Sequence, residues 1–370
     1  MNIIHNRGSL IRTKKALKNK NLTVGFIGGS ITDGRTNWNW PDPVCSWLNE
    51  TFPAVQLTVE NAGIGGTGSD LATMRVDREI INRNCDLVFV EYAVNDWWFD
   101  TERRMRTREG LIRKLLQDEE RDVVFVYTYG HYMFPFMIKN QVPPSIAEFE
   151  TLADHYNISS VWMALNAFNQ VKQGKLQYDE WLPDHLHPQY RGSLAYGESV
   201  VSFLKSALTG TASKKVIPHG KKLPKPINKN NWQGLHLKPF SEVKRTGPWI
   251  VKRWNKLAFI DQTLWTTAIG AKLSFDFNGR GLILGFDFGR ASSEFRYRID
   301  NGEWKESKRM RPEWCGQEGW YTPYHIADDL PIGKHKFELE VIHGNYEGKA
   351  ELNPQFSSTR FCLGSIGVIP

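Results

Sequence analysis

Short apolar runs alternate with stretches of helical periodicity through the first half of the chain. The runs are rich in β-branched and aromatic residues, which is typical of strands buried on both faces of a parallel sheet. Five runs are predicted to be strands, at 22–28, 55–61, 86–92, 122–128 and 158–164. Helical periodicity lies between them, at 43–51, 69–83, 105–120, 144–156 and 192–208. The alternation predicts an α/β domain with a parallel sheet covered by helices on both faces.

The period of the pattern changes to that of strands in the last third of the chain. Apolar or alternating runs occur at 273–277, 282–288, 295–300, 336–341 and 361–368. The sequence Asp300-Asn301-Gly302-Glu303 favours a two-residue hairpin turn, and the last two runs are expected to form a final hairpin. This part is predicted to be an antiparallel, jelly-roll-like β-sandwich. We therefore expect an α/β domain over 1–212, a linker over 213–230 and a β-sandwich over 231–370.

Composition agrees with a folded protein of about two domains. The chain has 370 residues, of which 41% are hydrophobic and 24% are charged. No apolar run reaches the roughly 18 residues of a membrane span, and the N-terminus has no apolar core of a secretory signal. The four cysteines form no CxxC pair, which excludes a zinc ribbon or a disulfide framework. We expect a cytoplasmic protein that does not bind membranes, with an oligomeric state that the sequence leaves open.

The net charge of +7 raises the question of nucleic acid as a partner. Residues 214–230 contain six lysines and no acidic residue. Nucleic-acid binders usually spread basic residues over a folded face, interleaved with aromatic residues. Because the charge here is concentrated in a segment that contains proline, it indicates a solvated linker. No nucleic-acid partner is expected.

Two polar side chains follow predicted strands, at the sheet edge where ligands bind in folds of this class. Ser30 follows the first strand in Gly-Gly-Ser-Ile-Thr, and the glycines would let a substrate approach the backbone closely. Asn95 follows the third strand, and its amide can donate to an oxyanion without adding charge. Helix capping is the alternative explanation for each of them.

A glycine-rich loop follows the second strand. Gly63, Gly65 and Gly68 match the G-x-G-x-x-G pattern of dinucleotide-binding proteins, with Glu91 as a candidate ribose ligand. The glycines follow the second strand rather than the first, and Glu91 lies farther along the chain than is usual for that pattern. The loop could instead direct backbone N–H groups toward a developing anion, or connect two elements without binding a ligand.

A carboxylate and two histidines lie together in Asp184-His185-Leu186-His187. A general base needs an imidazole whose other ring nitrogen is held by a carboxylate. His187 has the spacing to pair with Asp184, whereas adjacent His185 is awkwardly placed for that pairing. A metal site is the alternative, but no other His or acidic cluster supplies the remaining ligands.

Taken together, these motifs resemble those of the SGNH hydrolase superfamily, the GDSL-type esterases, over about residues 20–208. The resemblance implies a three-layer αβα sandwich with a five-stranded parallel sheet. It implies that Ser30 is the nucleophile, with Asp184 and His187 as the other triad members. It also implies an oxyanion hole formed by Ser30, Gly66 and Asn95, and no metal or organic cofactor.

The match to the superfamily motifs departs at two positions. Gly29 stands where the GDSL motif has Asp, and Ala93 stands where the third motif has Gly. Neither is one of the five functional positions, so the departures bear on the subgroup and the substrate. Trp314-Cys315 and the run 327–331 resemble accessory sandwich domains of carbohydrate-active SGNH esterases, and such domains would suit an acylated sugar substrate.

Tryptophans near the predicted catalytic edge also suggest a carbohydrate substrate. Trp38 and Trp40 follow the serine motif, Trp97 and Trp98 follow Asn95, and flat indoles suit the faces of sugar rings. Core packing is the alternative role. We expect a carboxylic ester hydrolase for O-acyl, in particular O-acetyl, esters of a small or oligomeric carbohydrate. An acyltransferase with the same triad and a non-catalytic sugar-binding protein are the alternatives.

Overall fold

The computed structural model describes residues 1–35, 38–118, 120–209, 223–343 and 360–370. The chain divides into two compact units, Met1–Gln233 and Gly234–Pro370. The first ten residues of the expected linker lie outside the described ranges. Within those ranges, no helix has the length and apolar character needed to cross a bilayer.

The described part of the first unit is built on one six-stranded sheet. Its strands are β1 (Ile4–His5), β2 (Asn21–Gly28), β3 (Gln56–Asn61), β4 (Leu87–Glu91), β5 (Asp122–Val126) and β6 (Ser159–Val161). The order is β1-β6-β5-β4-β2-β3. The five predicted strands are parallel, as expected, and the short β1 adds an antiparallel edge that the sequence analysis missed. Parallel strands place the carboxyl ends of β2, β3 and β4 along one edge.

Seven of the nine helices described in this unit fall into two packed groups. The helices are α1 (Ile11–Lys18), α2 (Pro41–Thr51), α3 (Ser69–Val76), α4 (Thr101–Leu116), α5 (Phe134–Met137), α6 (Pro144–Tyr156), α7 (Met163–Lys172), α8 (Tyr178–Trp181) and α9 (Tyr190–Thr209). The first group is α2, α7 and α8 around α9, and the second is α3 and α6 against α4. Every residue of β4 is buried, as expected for a central strand covered on both faces.

Local signals explain the main differences in helix boundaries. The helix expected over 105–120 begins at Thr101, because the carboxylate of Asp100 accepts the N–H of Arg103 and caps its first turn. The helix expected over 69–83 stops at Val76 and continues as a π-helical turn, Asp77–Ile81. The strand expected over 158–164 ends at Val161, and its last residues begin α7 instead.

The second unit is an antiparallel sandwich over its described residues. Its strands are β7 (His236–Leu237), β8 (Lys244–Thr246), β9 (Ile250–Arg253), β10 (Gln262–Thr266), β11 (Lys272–Gly279), β12 (Gly281–Phe288), β13 (Glu294–Ile299), β14 (Lys305–Glu306), β15 (Trp320–Ala327), β16 (Gly333–Ile342) and β17 (Phe361–Ile369). One sheet has the order β15-β12-β17-β10-β9, with β7 on β17, and the other has the order β14-β13-β16-β11-β8. Their apolar faces share one core, in which Phe286 of the first sheet stacks on Phe295 of the second.

A tight turn lies at the predicted place, but residues 298–304 separate the last paired residues of β13 and β14, and the predicted final hairpin is not present. Asp300 and Asn301 both have positive φ, and the N–H of Gly302 donates to the carbonyl of Ile299, as in a tight hairpin turn. The expectation that the last two strands pair was wrong. In the structure β16 pairs with β11 and β13, whereas β17 pairs with β7, β10 and β12 in the other sheet.

The segment from residue 223 to Gln233 is folded onto the first unit. The N–H groups of Ile227 and Asn228 donate to the carboxylate of Glu109. Trp232 is fully buried, and its N–H donates to the carbonyl of Arg106 on α4. These contacts place this part of the expected linker in the first unit.

Candidate active site

Ser30 lies on a tight turn at the carboxyl end of β2, and residues 28–33 are called the Ser30 turn below. The N–H groups of Thr32 and Asp33 donate to the carbonyl oxygen of Gly29, at 3.1 Å each. The chain therefore reverses direction within one turn of leaving the strand. This reversal leaves Ser30 half-buried at the edge of the sheet rather than in the core.

Close contacts explain the two glycines that precede Ser30. A Cβ atom on Gly28 would lie 2.5 Å from the hydroxyl oxygen of Thr32. A Cβ atom on Gly29 would lie 2.0 Å from the side-chain oxygen of Asn95. Side-chain atoms do not approach one another so closely, so both positions need glycine. With Asn95 in this position, a side chain at residue 29 would require one of the two to move.

The structure brings Ser30, His187 and Asp184 into one hydrogen-bonded row. Ser30 Oγ lies 2.8 Å from His187 Nε2. His187 Nδ1 lies 2.7 Å from Asp184 Oδ2. Because the carboxylate can only accept, Nδ1 carries the proton and Nε2 is left to accept from the serine hydroxyl. This is the arrangement that a serine nucleophile and its general base require.

Asp184 is oriented by its own loop. Its Oδ1 accepts the N–H groups of Leu186 at 3.0 Å and His187 at 2.6 Å, which leaves Oδ2 for the imidazole. Burial opposes ionisation of Asp184, but hydrogen bonds from the His187 backbone and side chain outweigh it and lower the pKa of this carboxyl. Asp184 is therefore ionised at neutral pH. The loop holds the carboxylate without help from distant elements.

His185 has a different environment from His187. Its backbone is in the left-handed region, with φ of 66°, and its Nδ1 lies 3.2 Å from the hydroxyl of Tyr178. The left-handed residue turns the chain between Asp184 and His187, which allows their three-residue pairing. The structure thus brings His187, and not His185, to Ser30.

The glycine loop after β3 lies against Ser30. A Cβ atom on Gly65 would be 3.5 Å from Ser30 Cβ, and its N–H donates to Asp33 Oδ2 at 3.3 Å. Gly66, the next residue, is exposed and has φ of 70°, which glycine adopts without strain. The sequence analysis missed Asp33. Its position three residues after Ser30 was the only available signal.

Asn95 is held over the Ser30 turn by a buried ion pair. It begins a short 3-10 helix, Asn95–Trp98, directly after β4. The adjacent Asp96 is fully buried, where it accepts the N–H of Ser69 at 2.8 Å and the Nε–H of Arg108 at 2.7 Å. Asn95 therefore has a fixed position relative to Gly29. The sequence analysis missed both Asp96 and Arg108.

Trp40 is not available to a substrate, and this expectation was wrong. Its side chain is fully buried, with its ring edge-on to Phe26 and to Phe89. Its indole N–H donates to the hydroxyl of Thr32 at 3.1 Å. Trp40 immediately precedes α2, and it is buried together with the apolar face of that helix.

Trp38 is exposed at the catalytic edge. Half of its surface is accessible, and its ring is edge-on to Tyr190, with the ring centres 5.2 Å apart. Tyr190 begins α9, three residues after His187, and is also exposed. The sequence analysis missed Tyr190, whose only signal was its position just after the histidine loop.

Trp97 and Trp98 form a second aromatic cluster beside Asn95. Trp97 stacks on Tyr132 with the ring centres 4.6 Å apart, and Trp98 is edge-on to the same ring at 5.4 Å. The Tyr132 hydroxyl donates to the carbonyl of Val94, which fixes the cluster to the Asn95 turn. Trp98 is 75% exposed. Aromatic surface is therefore present near both Asn95 and His187.

The structure contradicts the dinucleotide alternative. A Cβ atom on Gly63 would be 2.6 Å from the N of Asp33, and one on Gly68 would be 2.7 Å from Asp96. These glycines accommodate the protein itself rather than a pyrophosphate. Glu91 is fully buried and cannot reach a ribose. Among the described residues, no group of three or more His, Cys, Asp or Glu side chains is placed to hold a metal ion.

A family comparison agrees with this geometry. Residues 26–195 match the model of the GDSL-like Lipase/Acylhydrolase family. The match includes the Ser30 turn, the glycine loop, Asn95 and the histidine loop. No curated protein matches the chain.

Two of the similar solved structures share the fold of both units. A two-domain esterase active on acetylated mannans, co-crystallised with mannopentaose, has a TM-score of 0.79 and 23% identity, covering 99% of this chain and 96% of that chain. Another structure of a two-domain esterase active on acetylated mannans has a TM-score of 0.79 and 24% identity, with the same coverage. An acetyl xylan esterase from Geobacillus stearothermophilus has a TM-score of 0.40 and 20% identity, covering 52% of this chain and 97% of that chain.

Residues 26–195 of the first unit match the GDSL-like lipase/acylhydrolase family model, and this unit has the α/β fold expected for SGNH hydrolases. The chain combines this unit with an antiparallel sandwich, and the two-domain esterases share the fold of both units.

Proposed function

We propose that this protein is a serine esterase that removes O-acyl groups, in particular O-acetyl groups, from a carbohydrate through an acyl-enzyme. The observation that carries the proposal is the row from Ser30 Oγ to His187 Nε2 to Asp184, with contacts of 2.8 and 2.7 Å. Hydrogen-bonded rows of this kind activate a serine for acyl transfer.

In the first step, Ser30 Oγ attacks the carbonyl carbon of the ester while His187 Nε2 accepts the hydroxyl proton. The imidazolium that forms is stabilised by Asp184, which stays ionised. Collapse of the tetrahedral intermediate breaks the ester bond. His187 then protonates the departing sugar oxygen, and the acyl group remains on Ser30.

The negative charge on the tetrahedral oxygen needs donors that are in place before the reaction. The N–H groups of Ser30 and Gly66 and the side-chain amide of Asn95 are assigned to this oxyanion hole. The assignment is supported by the side-chain amide of Asn95, which occupies the space where a Cβ atom of Gly29 would lie, and by the position of Gly65 against Ser30. All three donors are neutral groups whose dipoles point at the oxygen. They bind that oxygen more strongly when it is negatively charged, so they favour the intermediate over the neutral ester.

In the second step, water attacks the acyl-enzyme, with His187 Nε2 accepting its proton. The carboxylic acid leaves and the proton returns to Ser30 Oγ. A sugar hydroxyl in place of water would make the protein an acyltransferase with the same residues. No step requires a metal ion or an organic cofactor.

A carbohydrate substrate is supported by the exposed aromatic residues at both ends of the site. Trp38 with Tyr190 lies beside the histidine loop, and Trp98 lies beside Asn95. Such rings pack against the apolar faces of sugars. The proposal also draws on the two-domain neighbour, which is described as active on acetylated mannans.

The proposal is tested by incubating the protein with acetylated mannan and xylan oligosaccharides and measuring the released acetate and the mass of each product. A serine-directed phosphonate should label Ser30. The Ser30→Ala variant should retain the wild-type melting temperature but lose both acetate release and labelling. Undiminished turnover by this variant would contradict the nucleophile assignment. Acetyl transfer to added sugar, in preference to water, would favour the acyltransferase.

A further inference from the structure

Glu91 lies next to the Ser30 turn, and no step of the proposed mechanism uses it. It is the last residue of β4 and pairs in the sheet with Gly28, the first residue of the turn. Its side chain is fully buried. A carboxyl group in such a place costs stability unless its oxygens are hydrogen-bonded. The partners of Glu91 therefore indicate what it does.

Three donors converge on this carboxyl group. Its Oε2 accepts the backbone N–H of Gly29 at 3.3 Å and the hydroxyl of Thr32 at 3.1 Å. Its Oε1 accepts the hydroxyl of Thr128, just beyond β5, at 2.7 Å. The first two partners lie on either side of Ser30 in the sequence, one residue before it and two residues after it.

The Thr32 hydroxyl also has a second partner, Trp40. The indole N–H of Trp40 donates to the Thr32 hydroxyl oxygen at 3.1 Å, and an indole nitrogen can only donate. The single hydroxyl proton of Thr32 is therefore available for Glu91. The Ser30 turn thus offers Glu91 two donors, the Gly29 N–H and the Thr32 hydroxyl, and both suit an ionised carboxylate.

We propose that Glu91 is a positioning residue, whose carboxylate holds the Ser30 turn on both sides of Ser30 and so keeps the serine hydroxyl in line with His187. This inference rests on the proposed function, because it assigns a task only if Ser30 is the nucleophile. Glu91 itself does not touch the reacting atoms.

The protonation state of Glu91 follows from its surroundings. Burial raises the pKa of Glu91 to about 7, and the hydrogen bonds from Thr128, Gly29 and Thr32 oppose that rise. The nearby charge of Asp96 is a smaller cause of the same rise. The charged and titratable groups that surround Glu91 or its neighbour Asp96 include Tyr92, Tyr132, Tyr196 and Arg108. Glu91 therefore gains its charge near neutral pH, and the turn is held best above that pH.

The first test compares Glu91→Gln with a matched control, Glu109→Gln. The glutamine mimics a carboxyl group that cannot ionise, since one of its two terminal groups can only donate. Glu109 is also a fully buried carboxylate that accepts a hydroxyl and two backbone N–H groups, but it lies outside the site. Melting temperature, kcat/KM for p-nitrophenyl acetate and the rate of Ser30 phosphonylation are measured between about pH 5 and about pH 9.

A positioning role predicts a pH-dependent difference. Glu91→Gln should approach the wild-type rate near pH 5 and fall about 10- to 100-fold below it near pH 9, the scale of a small misplacement of a nucleophile. Glu109→Gln should lower the melting temperature while changing either rate less than about twofold. A rate ratio for Glu91→Gln that is constant with pH, or matched by Glu109→Gln, would overturn the inference.

A second variant protects the test against misfolding of Glu91→Gln. Thr128→Val removes one donor to Glu91 but leaves the Ser30 turn and the carboxyl group in place. The hydrogen bond from Thr128 lowers the pKa of Glu91, so its loss should raise that pKa. The pH at which the rate rises should therefore increase by about one unit, and the rate reached above it should be unchanged. An unmoved profile would also overturn the inference. If wild-type protein is not labelled at Ser30 at all, the proposed function fails instead.

Discussion

Replacing Asp184 with asparagine should abolish turnover by reversing the tautomer of His187. In the native loop, Asp184 Oδ1 accepts two backbone N–H groups, from Leu186 at 3.0 Å and His187 at 2.6 Å. An asparagine has one oxygen, and these two donors keep it in the Oδ1 position. Its NH₂ group must then face His187 Nδ1, which becomes the acceptor. The ring proton moves to Nε2, which points at Ser30 and can no longer accept from it.

The expected loss of turnover depends on which of its two orientations the amide at position 184 adopts. Turning the amide the other way would restore the tautomer but leave two backbone N–H groups facing an NH₂ group, at a cost of about 1–3 kcal/mol for each. The asparagine therefore stays in the unproductive orientation. We expect kcat to fall about 10⁴-fold, as when a triad carboxylate becomes an amide, with little change in melting temperature.

The assay is steady-state hydrolysis of p-nitrophenyl acetate, together with the rate of Ser30 phosphonylation. Asp179→Asn is the matched control, since it makes the same substitution at an exposed position of α8, five residues away. We expect the control to stay within about twofold of wild-type activity. If Asp184→Asn retained more than about a tenth of the wild-type kcat, the orienting role of Asp184 would be refuted.

Four further results are expected. Asn95→Ala should lower kcat about 10²–10³-fold with KM nearly unchanged, and a change confined to KM would mean that Asn95 binds the substrate rather than the oxyanion. Trp98→Ala should raise KM for an acetylated oligosaccharide about tenfold, but leave p-nitrophenyl acetate hydrolysis unaffected; equal effects on both would argue against a sugar contact. Trp40→Ala should instead destabilise the first unit by about 3–5 kcal/mol in denaturant unfolding, because it empties a fully buried site. The hydrogen bonds that the His335 ring donates to Asp300 and to the carbonyl of Pro331 raise the pKa of His335. Its contribution to stability is therefore complete below its unfolded-state pKa and is lost as pH rises through the folded-state value. The melting-temperature deficit of His335→Phe should shrink from about pH 6 to about pH 9, and a deficit that grows would refute this.

The sequence by itself determined the class of the first unit and the order of its parallel strands along the chain. Continuous apolar strands separated by amphipathic helices can be buried in few architectures other than a parallel sheet covered by helices. Parallel strands bring their carboxyl ends to one edge of that sheet. For this reason Ser30, the glycine loop and Asn95, which are far apart in sequence, could be expected to lie together. The pairing of Asp184 with His187 was also predictable, because it depends only on a local loop.

The short edge strand β1 and the sheet assignments in the second unit were not predictable. The alternating pattern identified β16 and β17 as strands, but adjacent runs of this kind can pair with each other or enter opposite sheets. Whether two such strands pair or enter opposite sheets depends on which other strands pair with each of them, and that depends on the packing of the whole sandwich.

Burial separated residues that the sequence presented as equivalent. Trp38 and Trp40 lie two positions apart, yet one is half-exposed beside Tyr190 and the other is fully buried. Glu91 was a candidate ribose ligand in the sequence, but the tertiary structure buries it, where it accepts hydrogen bonds from Gly29 and Thr32 of the Ser30 turn. Local pattern therefore determined which residues reach the catalytic edge. Packing between elements that are distant in sequence decided which side chains remain open to a substrate and which support the site from within.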